Sequence, residues 1–149
     1  MQTIPVSRLL LQQQIDAVTI DERGRSYQSD MLTVLVGNDG GLVLRPFKLA
    51  DIGTPDEQYE WLYREVMLEE HAPEPFTDWQ HLEVRGKGRY RKGTGKGWSY
   101  LRSTLEKYGV PESESDAMLS RMLNDGKIIE LGEFQNSCAG GNFMMYGAV

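Results

Sequence analysis

Six cations fall within twelve positions in Arg85-Gly86-Lys87-Gly88-Arg89-Tyr90-Arg91-Lys92-Gly93-Thr94-Gly95-Lys96, and Gly97-Trp98 follows. Cations at this density suit phosphates, glycine lets a backbone approach closely, and Tyr90 and Trp98 offer rings on which bases can stack. In an extended chain Arg85, Lys87, Arg89 and Arg91 project from one face about 6.7 Å apart. That is twice the roughly 3.4 Å axial rise per nucleotide of one duplex strand, so the four match alternate phosphates. With Lys92 and Lys96 added, five or six neutralised phosphates give a duplex salt slope of about −4.5 to −5.5. A second reading of the same residues is a solvated, Gly-rich linker, 85–97, whose cations lie against acids of the same chain. A nucleotide-hydrolase phosphate loop is rejected: Gly88 and Gly93-Thr94 lack the lysine, and Gly95-Lys96-Gly97 lacks the earlier glycine and the following Ser or Thr.

No residue set points to catalysis. His71 and His81 are the only imidazoles, ten residues apart across Pro73 and Pro75, a spacing that fits no helical metal pair. One cysteine, Cys138, excludes an internal disulfide and any four-cysteine zinc module. Asp125-Gly126-Lys127 resembles the end of a nuclease motif but is equally a helix stop entering a strand. The expectation is a non-enzymatic protein without metal or cofactor.

Charge is segregated along the 149 residues, whose formal net charge is −6. Residues 1–50 balance; residues 51–80 hold nine acids and only Arg64; residues 81–106 hold seven bases against Glu83 and Glu106; residues 107–149 are again acidic. Such asymmetry concerns partners and association rather than fold. The partner is expected to be nucleic acid, DNA or RNA, contacted by Arg85, Lys87, Arg89, Tyr90, Arg91, Lys92, Lys96 and Arg121. The alternative is an acidic interaction module or small inhibitor of the phage or mobile-element type. It would present Glu57, Glu60, Glu65, Glu69 and Glu70 to a basic surface of a protein that handles nucleic acid. No apolar stretch approaches the roughly 20 residues of a membrane span, and the single cysteine suits a reducing compartment, so a cytoplasmic location is expected.

The elements that must position these residues read as α+β. Val6 to Gln14 admits a short helix. Val18-Thr19-Ile20, Leu32 to Val36 and Leu42 to Phe47 read as strands of a small antiparallel sheet, with Asn38-Asp39-Gly40-Gly41 as a hairpin loop. Thr54-Pro55-Asp56-Glu57 has the form of a capping box with proline at the first helical position, and Tyr59, Leu62, Tyr63 and Val66 follow at helical spacing until Pro73 and Pro75. Trp98, Leu101, Leu105 and Tyr108 repeat that spacing up to Gly109. Ser113-Glu114-Ser115-Asp116 opens another helix, with Ala117, Met118, Leu119, Met122 and Leu123 as its buried side, ending at Asn124-Asp125-Gly126. Lys127 to Leu131 and Asn142 to Tyr146 read as strands around a loop. The divisions are 1–84, an α+β region with the acidic helix; 85–97, the basic linker; and 98–149, a C-terminal module.

Helix, short turn, helix, glycine, apolar strand, loop, strand, with Met118-Leu119-Ser120-Arg121-Met122-Leu123-Asn124-Asp125-Gly126-Lys127-Ile128-Ile129 at its centre, resembles a winged-helix (helix-turn-helix) domain over about residues 97–149. The resemblance implies that the helix after the turn enters a DNA major groove while the wing contacts backbone. The family's first helix does not lie immediately upstream, so the helix at 56–70 would have to be recruited across the basic segment. The helix of the motif also opens on Glu112, Glu114 and Asp116, which repel phosphates, leaving Arg121 with Ser120 and Asn124 as groove-reading donors. Domains of this shape also serve protein contacts, for which Phe143 and Met144 would form a docking strand.

Overall fold

The computed structural model describes residues 2–7, 31–36, 41–72, 74–136 and 141–149. The fold is α+β, as the sequence pattern implies. Strands β1 (Gln2–Ser7), β2 (Met31–Val36) and β3 (Leu42–Pro46) form an antiparallel sheet in that order. Strands β2 and β3 pair antiparallel as expected, with Asn38-Asp39-Gly40 of the expected loop outside the described residues, but the third strand is Gln2–Ser7, so Val6 and Ser7 are extended rather than helical. Pro5 is accommodated because β1 is an edge strand. The Val18-Thr19-Ile20 run, most of the helix expected at 6–14, and Cys138 lie outside the described residues.

Helix α1 (Pro55–Tyr63) begins as its sequence requires: Thr54 Oγ1 accepts from the Glu57 amide at 3.3 Å, and Glu57 Oε1 accepts from the Thr54 amide at 3.3 Å. Removing this cap by Thr54→Ala is expected to cost about 1 kcal/mol of stability, measurable by denaturant titration. The helix continues as a π-helical turn, Arg64–Leu68, and stops at Glu69, whose φ of 52° is left-handed. This turn leaves the Val66 carbonyl to an outside donor, the Lys96 ammonium at 2.6 Å.

Strands β4 (His81–Val84) and β5 (Gly88–Arg91) form a second sheet, an antiparallel hairpin. A third sheet takes β6 (Lys96–Gly97), β7 (Ile128–Asn136) and β8 (Gly141–Ala148) in the order β6-β8-β7. Helices α2 (Trp98–Lys107) and α3 (Glu112–Asn124) lie between β6 and β7 in the chain. Gly109, at φ 101°, ends α2 as expected, and the Val110 amide returns to the Leu105 carbonyl at 3.0 Å. Helix α3 starts one residue before Ser113 and uses no side-chain cap. Ser115 is buried and donates to the Pro111 carbonyl, so the expected capping box is not formed. Ala117 is exposed, and Leu119 and Met122 carry the buried side.

The core gathers Tyr59, Leu62, Val66 and Met67 of α1 and its π turn with Leu101 and Leu105 of α2, Leu119 and Met122 of α3, and Ile128, Tyr146 and Ala148 of the third sheet. Helix α1 is thus recruited across the hairpin to pack with α2 and α3. The apolar core does not respect the division at residues 84 and 98. Trp61 links the N-terminal sheet to this core, stacking on Phe47 at 4.9 Å between ring centres and meeting Tyr108 edge-on at 5.2 Å. Among the described residues no helix is long and apolar enough to cross a membrane.

Candidate nucleic-acid interface

The basic segment 85–97 is built into the fold rather than strung out as a linker. Arg85-Gly86-Lys87 forms the turn between β4 and β5, closed by the Lys87 amide on the Val84 carbonyl at 2.9 Å, with Gly86 at φ 75°. Arg85, Lys87, Arg89 and Arg91 therefore do not form one extended ladder: two sit in a turn, and two lie on one face of β5. Tyr90 points from the opposite face onto the third sheet, where a Cβ added to Gly147 would come within 2.8 Å of its ring and 3.0 Å of Leu131. Downstream, buried Thr94 donates to the Arg91 carbonyl at 2.7 Å and accepts from the Ala148 amide at 2.8 Å, locking the hairpin's exit to β8. Thr94→Val should cost about 1–3 kcal/mol, because it leaves the buried Ala148 amide without its acceptor. Thermal or chemical unfolding of the variant measures this.

These contacts divide the cations. Lys96 is withdrawn, its side chain 12% exposed, bonded to the Val66 carbonyl and near Glu69 at 3.4 Å. Burial holds its ammonium below the usual lysine range. Arg91 donates to the Val149 carbonyl at 3.3 Å and lies 5.7 Å from the Trp79 ring centre. Arg121 stacks over Tyr59 at 3.7 Å and reaches Asp56 at 3.4 Å and Asp125 at 3.6 Å, so α1 and α3 occupy the donor expected to read a groove. Asp125 also accepts from the Tyr59 hydroxyl at 2.7 Å. Lys87 has only Glu130 at 3.7 Å, an exposed pair that contributes little. Arg85, Arg89 and Lys92 are exposed and pair with none of the described carboxylates.

The acids are mostly committed as well. Glu57 caps its own helix, Glu60 pairs with Lys127 at 2.9 Å, and Glu69 faces Lys96. Glu65, expected on an outward acidic face, is buried on the π turn and held by His71 Nδ1. The π turn rotates the residues after Tyr63, which is why helical spacing misplaces it. Of the five, Glu70 alone is exposed without a described hydrogen bond or ion pair, its charge acting only on the neighbouring His71.

The Glu65 hydrogen bond, opposed by burial and aided by Glu70 against Arg64, raises the His71 pKa above the ordinary histidine value. A raised folded pKa stabilises fully below the unfolded value of about 6.5, and that contribution is lost as pH rises through the folded value. Thermal stability should therefore fall as pH rises above the unfolded value, and His71→Gln should flatten that dependence in thermal melts followed across pH.

Tyr90 and Trp98, expected as stacking rings, are both used in packing: Tyr90 over Gly147, and Trp98 against Tyr146 at 5.2 Å with its indole donating to Asp116 at 2.7 Å. Met144 packs towards the core, whereas Phe143 is exposed. Phe134, directly opposite Phe143 in the register, is exposed too, a residue that the sequence pattern leaves in a loop. Its segment reads as loop because Gly132, at φ 125° beside a bulge at Leu131, masks the continuation of β7 to Asn136. The alternation of Gly132 and Phe134 with Glu133 and Gln135 is the signal that reveals it. Among the described residues no three His, Cys, Asp or Glu side chains gather to hold a metal ion. No known protein family, curated protein or solved structure matches the chain.

Proposed function

We propose that this protein is a non-enzymatic, nucleic-acid-associated accessory or regulatory module of the cytoplasm, which contacts backbone phosphates through the β4–β5 hairpin. One observation carries the reading: Arg85, Arg89 and Lys92 stand exposed, without a partner among the described carboxylates, on a hairpin pinned by Tyr90 and Thr94, while most neighbouring charges are satisfied internally. Cations held in place lose less conformational freedom on binding than cations on a loose arm. The order α2, turn, α3, β7, β8, with α1 completing a three-helix core, supports a winged-helix reading of the C-terminal two-thirds. The exposed Glu112, Glu114 and Asp116 at the start of α3 oppose major-groove reading by that helix. The hairpin takes its place as the phosphate-contacting element.

The acidic-module alternative draws less support, because Glu57, Glu60, Glu65 and Glu69 already serve the fold. Fluorescence anisotropy of labelled oligonucleotides at about 50 mM salt tests the proposal. Saturable binding that weakens steeply as salt is raised is the expected result. Absence of binding to duplex and to single strands at that salt removes the reading.

A further inference from the structure

Along β8 the side chains alternate: Met144, Tyr146 and Ala148 turn to the helices, and Phe143, Met145 and Gly147 turn outward. The hairpin covers the outward face only at its Gly147 end, where Tyr90 and Leu131 close over the glycine. Further along the wing the face is open. There Phe134 and Phe143, paired directly across the two strands, are 49% and 38% exposed. Gly97 of β6 flanks them, placed so that a Cβ would come 3.3 Å from the Phe143 ring. Two exposed rings opposite each other on a strand pair form an apolar step with π faces available.

Charge complementarity selects the occupant. The hairpin resting on this same face carries Arg85 and Lys92 without described acidic partners and Lys87 only weakly paired, while Arg89 and the Glu83 opposite it lie on the side turned away from the sheet, so an anionic chain with flat apolar groups fits both the rings and the cations at the hairpin's turn and exit. An uncharged apolar peptide would cover the rings and leave the cations unmatched. A duplex keeps its bases stacked internally and has no use for the rings. Glu133, the acid between Gly132 and Phe134, lies on the opposite face by alternation.

We propose that the outer face of the wing binds an unpaired nucleic-acid strand, stacking bases on Phe134 and Phe143 and setting phosphates against Arg85 and Lys92, the cations at the hairpin's turn and exit. This rests on the nucleic-acid reading above and specifies its substrate as single-stranded. The full chain is titrated into a labelled DNA strand of about 15 nucleotides, the RNA strand of the same sequence, and the corresponding DNA duplex. One or both single strands are expected to bind more tightly than the duplex. Phe134→Ala and Phe143→Ala should each weaken single-strand binding by about tenfold, leaving duplex binding unchanged and the protein folded by circular dichroism at the assay temperature. Phe→Trp at either position should retain affinity, and Phe→Leu should lose it, because leucine keeps the apolar surface without the π face. Tighter duplex binding overturns the proposal. So does wild-type single-strand affinity in the leucine variants, which marks an apolar docking surface for a protein. Either result leaves the hairpin reading standing, whereas failure of all three probes to bind sinks that reading as well.

Discussion

Replacing Arg85, Arg89 and Lys92 together by alanine is expected to lower nucleic-acid affinity at about 50 mM salt by roughly a hundredfold or more, with the melting transition unmoved. Each cation that neutralises a phosphate contributes about 0.9 to the duplex salt slope and about 0.7 to that of a single strand. Removing three of the four outward cations should reduce the duplex slope by about 2.7, leaving only what Lys87 supplies. The effect on folding is small because these side chains are exposed and pair with none of the described carboxylates. Lys96→Ala should behave oppositely: its ammonium caps the end of the π turn rather than facing solvent, so the variant loses stability more than binding. Anisotropy titrations at several salt concentrations, alongside thermal melts of each variant, separate the two classes. A triple variant that binds like the parent would place the phosphate-binding surface elsewhere.

Leu62→Ala is expected to have the largest effect on stability. Leu62 is fully buried on α1, in the same core as Leu101, Leu105, Leu119 and Met122. Truncating such a side chain costs about 2–5 kcal/mol through reduced burial and an unfilled cavity. Because α1 precedes the β4–β5 hairpin and α2 follows it, the variant also asks whether the helices on either side fold as one unit. A single unfolding transition, displaced as a whole, is the expected outcome when near- and far-ultraviolet circular dichroism are followed together. A separate transition for the C-terminal helices, unaffected by the substitution, would show that α1 is not part of their core.

The sequence displays its helices more openly than its strands, for local reasons. Thr54 and Glu57 satisfy each other across one turn, and Gly109 and Gly126 take the positive φ that stops α2 and α3, so these boundaries can be read from neighbours alone. The β4–β5 hairpin is hidden because the sheet-facing side of β5 offers a lone aromatic, Tyr90, and its partner Leu82 is 39% exposed. The remaining positions of β5 and its turn are charged or glycine, a composition that reads as solvated linker. What makes it a hairpin is distant: a glycine at 147 with no side chain to obstruct Tyr90, and Thr94 bonded to Ala148. No window of neighbouring residues contains that information.

The candidate site is legible in composition but not in membership. Arg85, Lys87, Arg89 and Lys92 remain outward, as expected from their density. Lys96 is drawn inward by the Val66 carbonyl, and Arg91 and the still exposed Arg121 are engaged by the Val149 carbonyl and the Tyr59 ring, acceptors and a π face distant in sequence. The same long-range pairing removes Glu60 from the acidic face, and the π turn removes Glu65. Phe134 can be found only by continuing β7 through its bulge, which moves the residue from an unstructured loop to a position opposite Phe143.

The most direct measurement is the salt dependence of binding for the unaltered protein with duplex and single-stranded oligonucleotides of one sequence. Four outward cations give a slope of log affinity against log salt of about −3.6 on duplex and about −2.8 on a single strand, shallower than the roughly −4.5 to −5.5 expected if five or six phosphates were engaged. Affinity independent of salt, or no detectable binding of either form at about 50 mM, would contradict phosphate contact by the hairpin.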